Sequence, residues 1–166
     1  MRRGLVWFRN DLRLHDQVAL SRGIEECDQI LPLYCLDPRL FQPTPLGFPK
    51  TGSFRVKLLL QALENLRSNL LSTGSNLLIV NGKPEEILPE LCLKHCCQVV
   101  YASKEVTQEE TNTEEMLEQV LWKSKIPLHL EWQSTLYHIE DIPWPISNLP
   151  NIYSNFRKAC ERESVV

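Results

Sequence analysis

Near its amino terminus the chain reads Gly4-Leu5-Val6-Trp7-Phe8-Arg9-Asn10-Asp11-Leu12-Arg13-Leu14-His15-Asp16. Residues 5–8 form an unbroken apolar run, which is typical of a β-strand buried on both faces of a parallel sheet. The polar residues Arg9, Asn10, Asp11 and Arg13 follow at the carboxyl end of this predicted strand, where open α/β sheets keep their ligands and domain contacts. These residues either form a surface salt-bridge cluster that steadies the strand-to-helix turn, or they belong to a functional edge of the sheet.

Further apolar, β-rich runs recur along the chain, and helical patterns separate most of them. Together with the first run, at residues 5–9, they are residues 29–35, 76–80, 98–102 and 128–132. Strands that alternate with helices predict a parallel sheet covered by helices on both faces. We therefore expect an α/β, Rossmann-like three-layer domain with a five-stranded parallel sheet.

The first two predicted helices have recognisable starts. Asp16 is a plausible N-cap for a helix that runs to about Glu26, and Thr51 or Ser53 can cap the second helix. The second helix repeats apolar residues every four positions, so this stripe should cover the sheet. The stripe comprises Phe54, Leu58, Ala62, Leu66 and Leu70, flanked by Leu59 and Leu63.

The later elements carry similar signals. Gly74 stands where a left-handed helix C-cap is expected, and Pro84 occupies the first position of a third helix. A fourth helix, over residues 107–123, has Thr107 or Thr113 as its cap. Its expected apolar face consists of Met116, Leu117, Val120 and Leu121.

The pattern changes after Trp132, where prolines replace the alternation of strands and helices. Pro143, Pro145 and Pro150 exclude regular structure, and a short polar helix is predicted over residues 151–163. We expect residues 1–135 to form the α/β domain and residues 136–166 to form a connector that leads toward a further domain.

Composition restricts the class of protein. With 166 residues, 43% hydrophobic and 23% charged, the chain is typical of one globular domain. The net charge of −3 disfavours tight binding of nucleic acid by this chain alone. The apolar run after Met-Arg-Arg is too short for a signal peptide or a membrane span, and the six irregularly spaced cysteines indicate reduced thiols. We expect an intracellular, reducing compartment and no membrane contact.

Common catalytic and metal-binding motifs are missing or incomplete. Neither a Gly-x-Gly-x-x-Gly nor a Walker sequence occurs. Cys92, His95 and Cys96 share one predicted helix face and are zinc-ligand types, but a fourth ligand at a recognisable spacing is missing. Cysteines on an amphipathic helix are more often core residues. We therefore predict neither a metal site nor a hydrolytic triad.

Glu105 is better placed for binding, because it follows the fourth predicted strand. A carboxylate there can accept two parallel hydrogen bonds from a flat heterocycle with adjacent N–H donors, such as a pterin. The alternative is an ordinary surface carboxylate at the start of a helix.

Four segments together resemble the amino-terminal α/β domain of the cryptochrome/photolyase family, and most closely its DASH-type cryptochromes. They are residues 6–16; residues 31–41 with Phe-Pro-Lys-Thr-Gly at 48–52; Gly-Lys-Pro-Glu-Glu-Ile-Leu-Pro at 82–89; and residues 134–138 with 151–158. The resemblance covers nearly the whole chain. Gln17 departs from it, since the family usually has asparagine at this position.

The resemblance implies a blue-light flavoprotein that either splits pyrimidine dimers in DNA or signals. A folate, methenyltetrahydrofolate, would serve as the antenna and pass excitation to FAD. Glu105 matches the family's pterin-binding glutamate, and Lys104 precedes it as in DASH members. Phe41, Phe48 and Lys50 are weaker candidates for lining the pigment cleft.

The resemblance also implies what this chain lacks. In the family, a helical carboxyl-terminal domain holds the FAD pocket, the electron-relay tryptophans and the DNA-binding groove. This domain is the expected partner of the chain, and DNA would bind only through it. We expect a fragment or isolated antenna domain that is not catalytic alone. Two alternatives stay open. The first is a free-standing interaction or structural domain that has lost pigment binding, in which Arg9, Asp11 and Arg13 form part of an exposed former interface. The second is an adenine-nucleotide-binding domain of the same Rossmann-like fold.

Overall fold

Residues 1–163 are described by the structure, a computed structural model in which the strands form one sheet. The strands are β1 Arg3–Phe8, β2 Gln29–Leu36, β3 Leu78–Asn81, β4 Val99–Ser103 and β5 Leu128–Glu131. Their order is β3-β2-β1-β4-β5, and every adjacent pair is parallel. The predicted α/β domain with a five-stranded parallel sheet is confirmed.

Five α-helices accompany the sheet. They are α1 Val18–Glu26, α2 Ser53–Ser72, α3 Pro84–His95, α4 Gln108–Lys123 and α5 Tyr153–Glu163. Short 3₁₀ helices occur at Pro38–Phe41 and Ile146–Asn148. Residues 1–131 form one compact unit, and the described residues from Trp132 to Glu163 belong to a second. Among residues 1–163, no helix has the length and apolar character needed to cross a membrane.

The two faces of the central strand β1 enter different core clusters. Leu5 and Trp7 pack with residues of α3 and α4, whereas Val6 and Phe8 pack with residues of α1 and α2. Because successive side chains of a strand point to opposite faces, this division puts helices on both sides of the sheet. The unbroken apolar run of β1 is explained by burial on both faces.

The helix starts differ from two sequence expectations. The cap of α1 is Gln17 rather than Asp16: the Gln17 side chain accepts a hydrogen bond from the Leu20 amide at 2.6 Å. Asp16 has φ 53°, which is not the extended conformation of an N-cap. The cap position of α2 is Gly52, because the Thr51 hydroxyl instead donates to the Leu40 carbonyl at 2.6 Å.

The apolar stripe of α2 covers the sheet only in its second half. Leu63, Leu66 and Leu70 are buried, but Phe54 is 89% exposed and Leu58 is 66% exposed, contrary to expectation. The helix has 20 residues and is therefore about 30 Å long, whereas the six residues of β1 span about 20 Å. The first turns of α2 extend past the strands that its later turns cover.

Helices α2, α3 and α4 end in the same backbone motif. A residue just past the end of each helix adopts a left-handed conformation. The amide of the residue that follows it donates to a carbonyl five residues earlier, as in a Schellman cap. The left-handed residues are Gly74 at φ 82°, Cys96 at φ 55° and Lys125 at φ 57°. The bonds are Ser75 to Leu70 at 2.9 Å, Cys97 to Cys92 at 2.8 Å and Ile126 to Leu121 at 3.0 Å. The prediction for Gly74 is confirmed.

Other local predictions for α3 and α4 have mixed outcomes. Pro84 begins α3 as predicted, and Thr107 occupies the cap position of α4 without a side-chain hydrogen bond. Leu117 and Leu121 are buried on α4, whereas Met116 is 40% exposed and Val120 is 36% exposed. The buried face of α4 is therefore narrower than predicted.

The second unit has an aromatic centre of its own. The Phe156 ring of α5 makes an edge contact with Tyr137 at 6.5 Å and a tilted contact with Trp144 at 6.0 Å, between ring centroids. The predicted helix at residues 151–163 is present and begins at Tyr153.

Candidate ligand cavity and the Glu105 segment

A cavity of about 530 Å³ lies at the carboxyl ends of β1 and β2. The chain runs from β1 to β2 on one side and later adds β4 on the other, so β1 borders the topological switch point, where open α/β sheets bind ligands. Contributors include Trp7 and Asn10 from the β1 end, Asp37 and Arg39 after β2, and Glu110 and Met116 from α4.

Each cation that lines this cavity is paired with a carboxylate. Arg9 pairs with Glu114, and Lys50 pairs with Glu109. The Arg39 guanidinium contacts Asp37 at 2.6 Å and Glu85 at 2.9 Å. A phosphate-bearing ligand would have to compete with these carboxylates.

The nearby helix N-termini are also occupied by acidic side chains. Glu85 and Glu86 lie in the first turn of α3, and Glu109 and Glu110 lie in the first turn of α4. The positive end of each helix dipole therefore already faces carboxylates of its own chain. Without a glycine-rich loop or an open helix end, the cavity lacks the features by which dinucleotide folds hold phosphate.

One acceptor in the cavity wall lacks a partner. Glu110 Oε2 is buried, and within residues 1–163 it has no hydrogen-bond partner. Because Glu110 lines the cavity, this oxygen is available to a donor group of a ligand. The wall therefore favours a ligand that carries N–H or O–H groups.

Arg9 is buried rather than exposed, which corrects both the surface-cluster and the exposed-interface interpretations for this residue. Its residue surface is only 8% exposed. The guanidinium is ion-paired with Glu114, donates to the Ser103 carbonyl at 3.0 Å, and lies 4.5 Å from the centroid of the Trp7 ring. Arg9 is held inside the domain because α4 supplies a buried carboxylate.

Asp11 connects β1, α1 and β4 through hydrogen bonds. Its carboxylate accepts from the Arg9 amide at 3.1 Å, from Gln17 Nε2 at 2.5 Å, and from the Ser103 hydroxyl. Gln17 is buried, and it both holds Asp11 and caps α1. Arg13 is exposed and donates to the Asp16 carbonyl at 3.0 Å. This network holds the strand-to-helix turn, and most of it is interior.

Glu114 is the member of this network that sequence reasoning missed. Its side chain is 3% exposed and pairs with Arg9, with Lys104 Nζ at 3.1 Å, and with the Glu105 amide at 2.9 Å. A signal was present, since Glu114 precedes Leu117 by three residues and so shares the apolar face of α4. A charged residue on an apolar face indicates a buried partner.

Glu105 is half-buried directly after β4. Its Oε1 accepts a hydrogen bond from Asn10 Nδ2 at 2.9 Å, and within residues 1–163 its Oε2 has no hydrogen-bond partner. Burial raises the pKa of the Glu105 carboxyl, although the hydrogen bond from Asn10 acts in the opposite direction. Asn10 lines the cavity, so Glu105 is connected to the cavity wall through one side chain.

The other predicted site residues are distributed unevenly. Lys50 lines the cavity, where it pairs with Glu109, and Lys104 pairs with Glu114 beside Glu105. Phe41 and Phe48 are 42% and 55% exposed and lie outside the described lining. The structure therefore associates Lys50, Lys104 and Glu105 with the carboxyl edge of the sheet, and leaves the two phenylalanines on the surface of their loop.

The zinc alternative finds no support in the described residues. Cys92 is buried and Cys96 is exposed, because the left-handed backbone at Cys96 ends the helix before the two thiols can share a face. Within residues 1–163, no group of three or more acidic, histidine or cysteine side chains could hold a metal ion.

Comparison with known proteins agrees with the geometry. The sequence model of the DNA photolyase family matches residues 4–165. The chain belongs to the DNA photolyase family. This photolyase-family domain is 46% identical over 160 residues to a cryptochrome DASH of Arabidopsis thaliana, covering 95% of this chain and 28% of that protein. It is 40% identical to the blue-light photoreceptor PHR2 of the same plant, covering 97% of this chain and 36% of that protein.

A solved structure gives the same relationship for the photolyase-family domain. The cryptochrome of Synechocystis superposes with a TM-score of 0.96 at 40% identity, over 98% of this chain and 34% of that chain. The matched region is its amino-terminal domain. The chain thus spans about a third of the length of such relatives. The resemblance to DASH-type cryptochromes, inferred from four segments, is confirmed.

Proposed function

We propose that this chain is the antenna-pigment domain of a DASH-type cryptochrome and that it binds methenyltetrahydrofolate through Glu105. The observation that carries the proposal is the half-buried Glu105 carboxylate at the carboxyl end of β4, beside the cavity. One of its oxygens is oriented by Asn10, and the other has no partner among the described residues. A pterin ring presents two adjacent N–H donors to such a carboxylate.

The residues around Glu105 fit this role. Glu114 accepts a hydrogen bond from the Glu105 amide and pairs with Lys104, so the backbone that carries the carboxylate is held from the interior. Asn10 keeps Oε1 in place, and each carboxylate oxygen can still accept a ligand donor. Bound folate would supply near-ultraviolet absorption. FAD, DNA contact and repair or signalling chemistry are assigned to a separate helical domain of the whole protein.

The adenine-nucleotide alternative is less well supported. Every cation in the cavity wall is ion-paired, and the helix N-termini beside it carry acidic first turns. A nucleotide would therefore meet carboxylates where it needs free donors for its phosphates.

Titration of the purified chain with methenyltetrahydrofolate tests the proposal. We expect a red-shifted absorption band and a rise in Tm for the wild type. Glu105→Gln should weaken folate binding by about tenfold to a hundredfold, because hydrogen bonds to a charged group are worth about 1.5–3 kcal/mol. Glu118→Gln, an exposed change on α4, is the matched control and should bind like the wild type.

Two results would contradict the proposal. The first is a wild-type chain that shows neither the absorption shift nor the Tm increase. The second is stabilisation by ATP with none by folate, which would support the nucleotide alternative instead.

A further inference from the structure

Three cysteines lie together where α3 ends. Cys96 adopts the left-handed conformation, its amide donates to the Leu93 carbonyl at 3.3 Å, and the Cys97 amide donates to the Cys92 carbonyl at 2.8 Å. In a Schellman motif a contact between the side chains of the two residues joined by the bond across five positions is frequent. Here those residues are Cys92 and Cys97, and both belong to the same buried core cluster.

The two thiols are chemically unequal. The neighbouring Cys92 thiol lowers the pKa of Cys97, and the Arg3 guanidinium acts in the same direction. The neighbouring Cys97 thiol and burial both raise the pKa of Cys92. Cys97 is 5% exposed, and Cys92 is completely buried. Cys97 therefore has more thiolate character and more access to solvent than its partner.

We propose that Cys92 and Cys97 form a dithiol that hydrogen peroxide oxidises to a disulfide between the end of α3 and the segment entering β4. The Cys97 thiolate attacks one peroxide oxygen, the O–O bond breaks, and the departing hydroxide takes a proton to become water. Cys97 is then a sulfenic acid. The Cys92 sulfur attacks the Cys97 sulfur, the S–O bond breaks, and hydroxyl leaves with the Cys92 proton as a second water. Two thiols lose two electrons, and peroxide is reduced.

The surroundings favour this pair over the neighbouring thiols. The backbone hydrogen bond already closes the turn between Cys92 and Cys97, so the disulfide adds a covalent bond to a loop that is formed. Cys96 lies between them in the sequence but is exposed, whereas Cys92 and Cys97 are buried. Cys35 donates its thiol proton to the Gly82 carbonyl at 3.0 Å, and burial raises the pKa of Cys35 to about 12.

Peptide mapping of the whole chain tests the proposal directly. The protein is treated with peroxide, its remaining thiols are alkylated, and it is digested with trypsin without reductant. Cleavage after Lys94 separates Cys92 from Cys96 and Cys97. We expect a disulfide-linked peptide pair whose fragment masses place the bond at Cys97, and we expect dithiothreitol to release it. Wild-type protein in which Cys97 is recovered as a free thiol or as an irreversible sulfinic acid would overturn the proposal.

Single substitutions identify the partners. Cys96→Ser, the matched exposed control, should give the cross-link in wild-type yield, whereas Cys97→Ser should abolish it. In Cys92→Ser, Cys97 should stop at the sulfenic acid and react with dimedone. A cross-link that survives Cys97→Ser but is lost in Cys96→Ser would show that Cys96 is the partner and that the proposal is wrong. Because the wild-type map locates the bond by itself, the test does not depend on how well the variants fold.

Discussion

Arg9 and Glu114 form a buried ion pair where β1, β4 and α4 meet. Their side chains are 6% and 3% exposed. The Ser103 carbonyl, the Lys104 ammonium and the Glu105 amide complete the hydrogen bonds around them. Such a pair is tolerated only while both charges are present, because removal of one leaves the other desolvated and unpaired.

The ion pair leads to a stability prediction. Glu114→Ala should lower the free energy of unfolding by about 3–5 kcal/mol, since it leaves the Arg9 guanidinium buried without its carboxylate. Glu115→Ala, at the exposed neighbouring position, should change it by less than about 0.5 kcal/mol. Urea unfolding followed by circular dichroism measures both. Equal, small losses would mean that water reaches Arg9 and that the pair is not buried.

The helix caps give a second prediction at this scale. Lys125 is exposed and holds φ 57°, a conformation that costs an L-residue about 1–2 kcal/mol. Lys125→Gly should therefore raise the free energy of unfolding by about 1 kcal/mol. Gly74→Ala, at φ 82° with open space around it, should lower it by a similar amount. Denaturant titrations should give changes of opposite sign in the free energy of unfolding of the two variants. A lower free energy of unfolding for Lys125→Gly would contradict the backbone explanation.

At the scale of elements, α2 shows how a regular apolar repeat can mislead. Phe54, Leu58 and Leu66 belong to one predicted stripe, yet only Leu66 of these three is buried. The repeat reports which face of the helix is apolar. Whether a sheet lies opposite each turn depends on the length of the strands.

Substitutions along α2 should separate the two halves of the stripe. Leu66→Ala should cost about 2–5 kcal/mol of unfolding free energy, because Leu66 is 1% exposed in the core. Leu58→Ala, at 66% exposure, should change stability by less than about 0.5 kcal/mol. The Tm values of the two variants provide the comparison. A loss at Leu58 as large as that at Leu66 would show that the first half of α2 is covered in solution.

For the molecule as a whole, the proposed pigment site has a cost in stability that depends on pH. Burial raises the pKa of Glu105 above its ordinary value of 4.5, so the folded chain keeps this proton to a higher pH than the unfolded chain does. Below pH 4.5 Glu105 makes its full contribution to the free energy of unfolding. This contribution is lost as the pH rises through the raised pKa of the folded state.

Glu105→Gln should remove this dependence. Above the folded-state pKa of Glu105 the variant should be more stable than the wild type, and below pH 4.5 the two should coincide. Thermal unfolding across a pH series measures the difference, with Glu118→Gln as the exposed control. A difference in Tm between the variant and the wild type that grows toward acid pH would contradict this prediction.

Folate binding should show the complementary trend. The pterin donors need an ionised acceptor, so wild-type affinity should fall as the pH drops through the raised pKa of Glu105. Glu105→Gln should bind weakly at every pH, without this step. Absorption titrations at several pH values distinguish the two, and a wild-type affinity that is constant across this range would remove Glu105 from the pigment site.

The sequence by itself determined the layers of this protein and most of its local signals. The apolar run of β1 predicts a strand buried on both faces. Gly74 and Pro84 affect only the backbone within a few residues of themselves, so their roles can be predicted without knowing which residues pack against them. The motifs at residues 6–16 and 48–52 were likewise readable in order along the chain.

Only the tertiary structure decided which of the charged groups lie inside. Arg9 and Glu114 are 105 positions apart, and Asn10 and Glu105 are 95 apart, so these contacts exist only once β1 and β4 pair and α4 packs over them. A charged side chain looks the same in sequence whether it is solvated or buried. Its environment is set by elements that fold against it from elsewhere in the chain, and that environment made Arg9 an interior residue and connected Glu105 to the cavity.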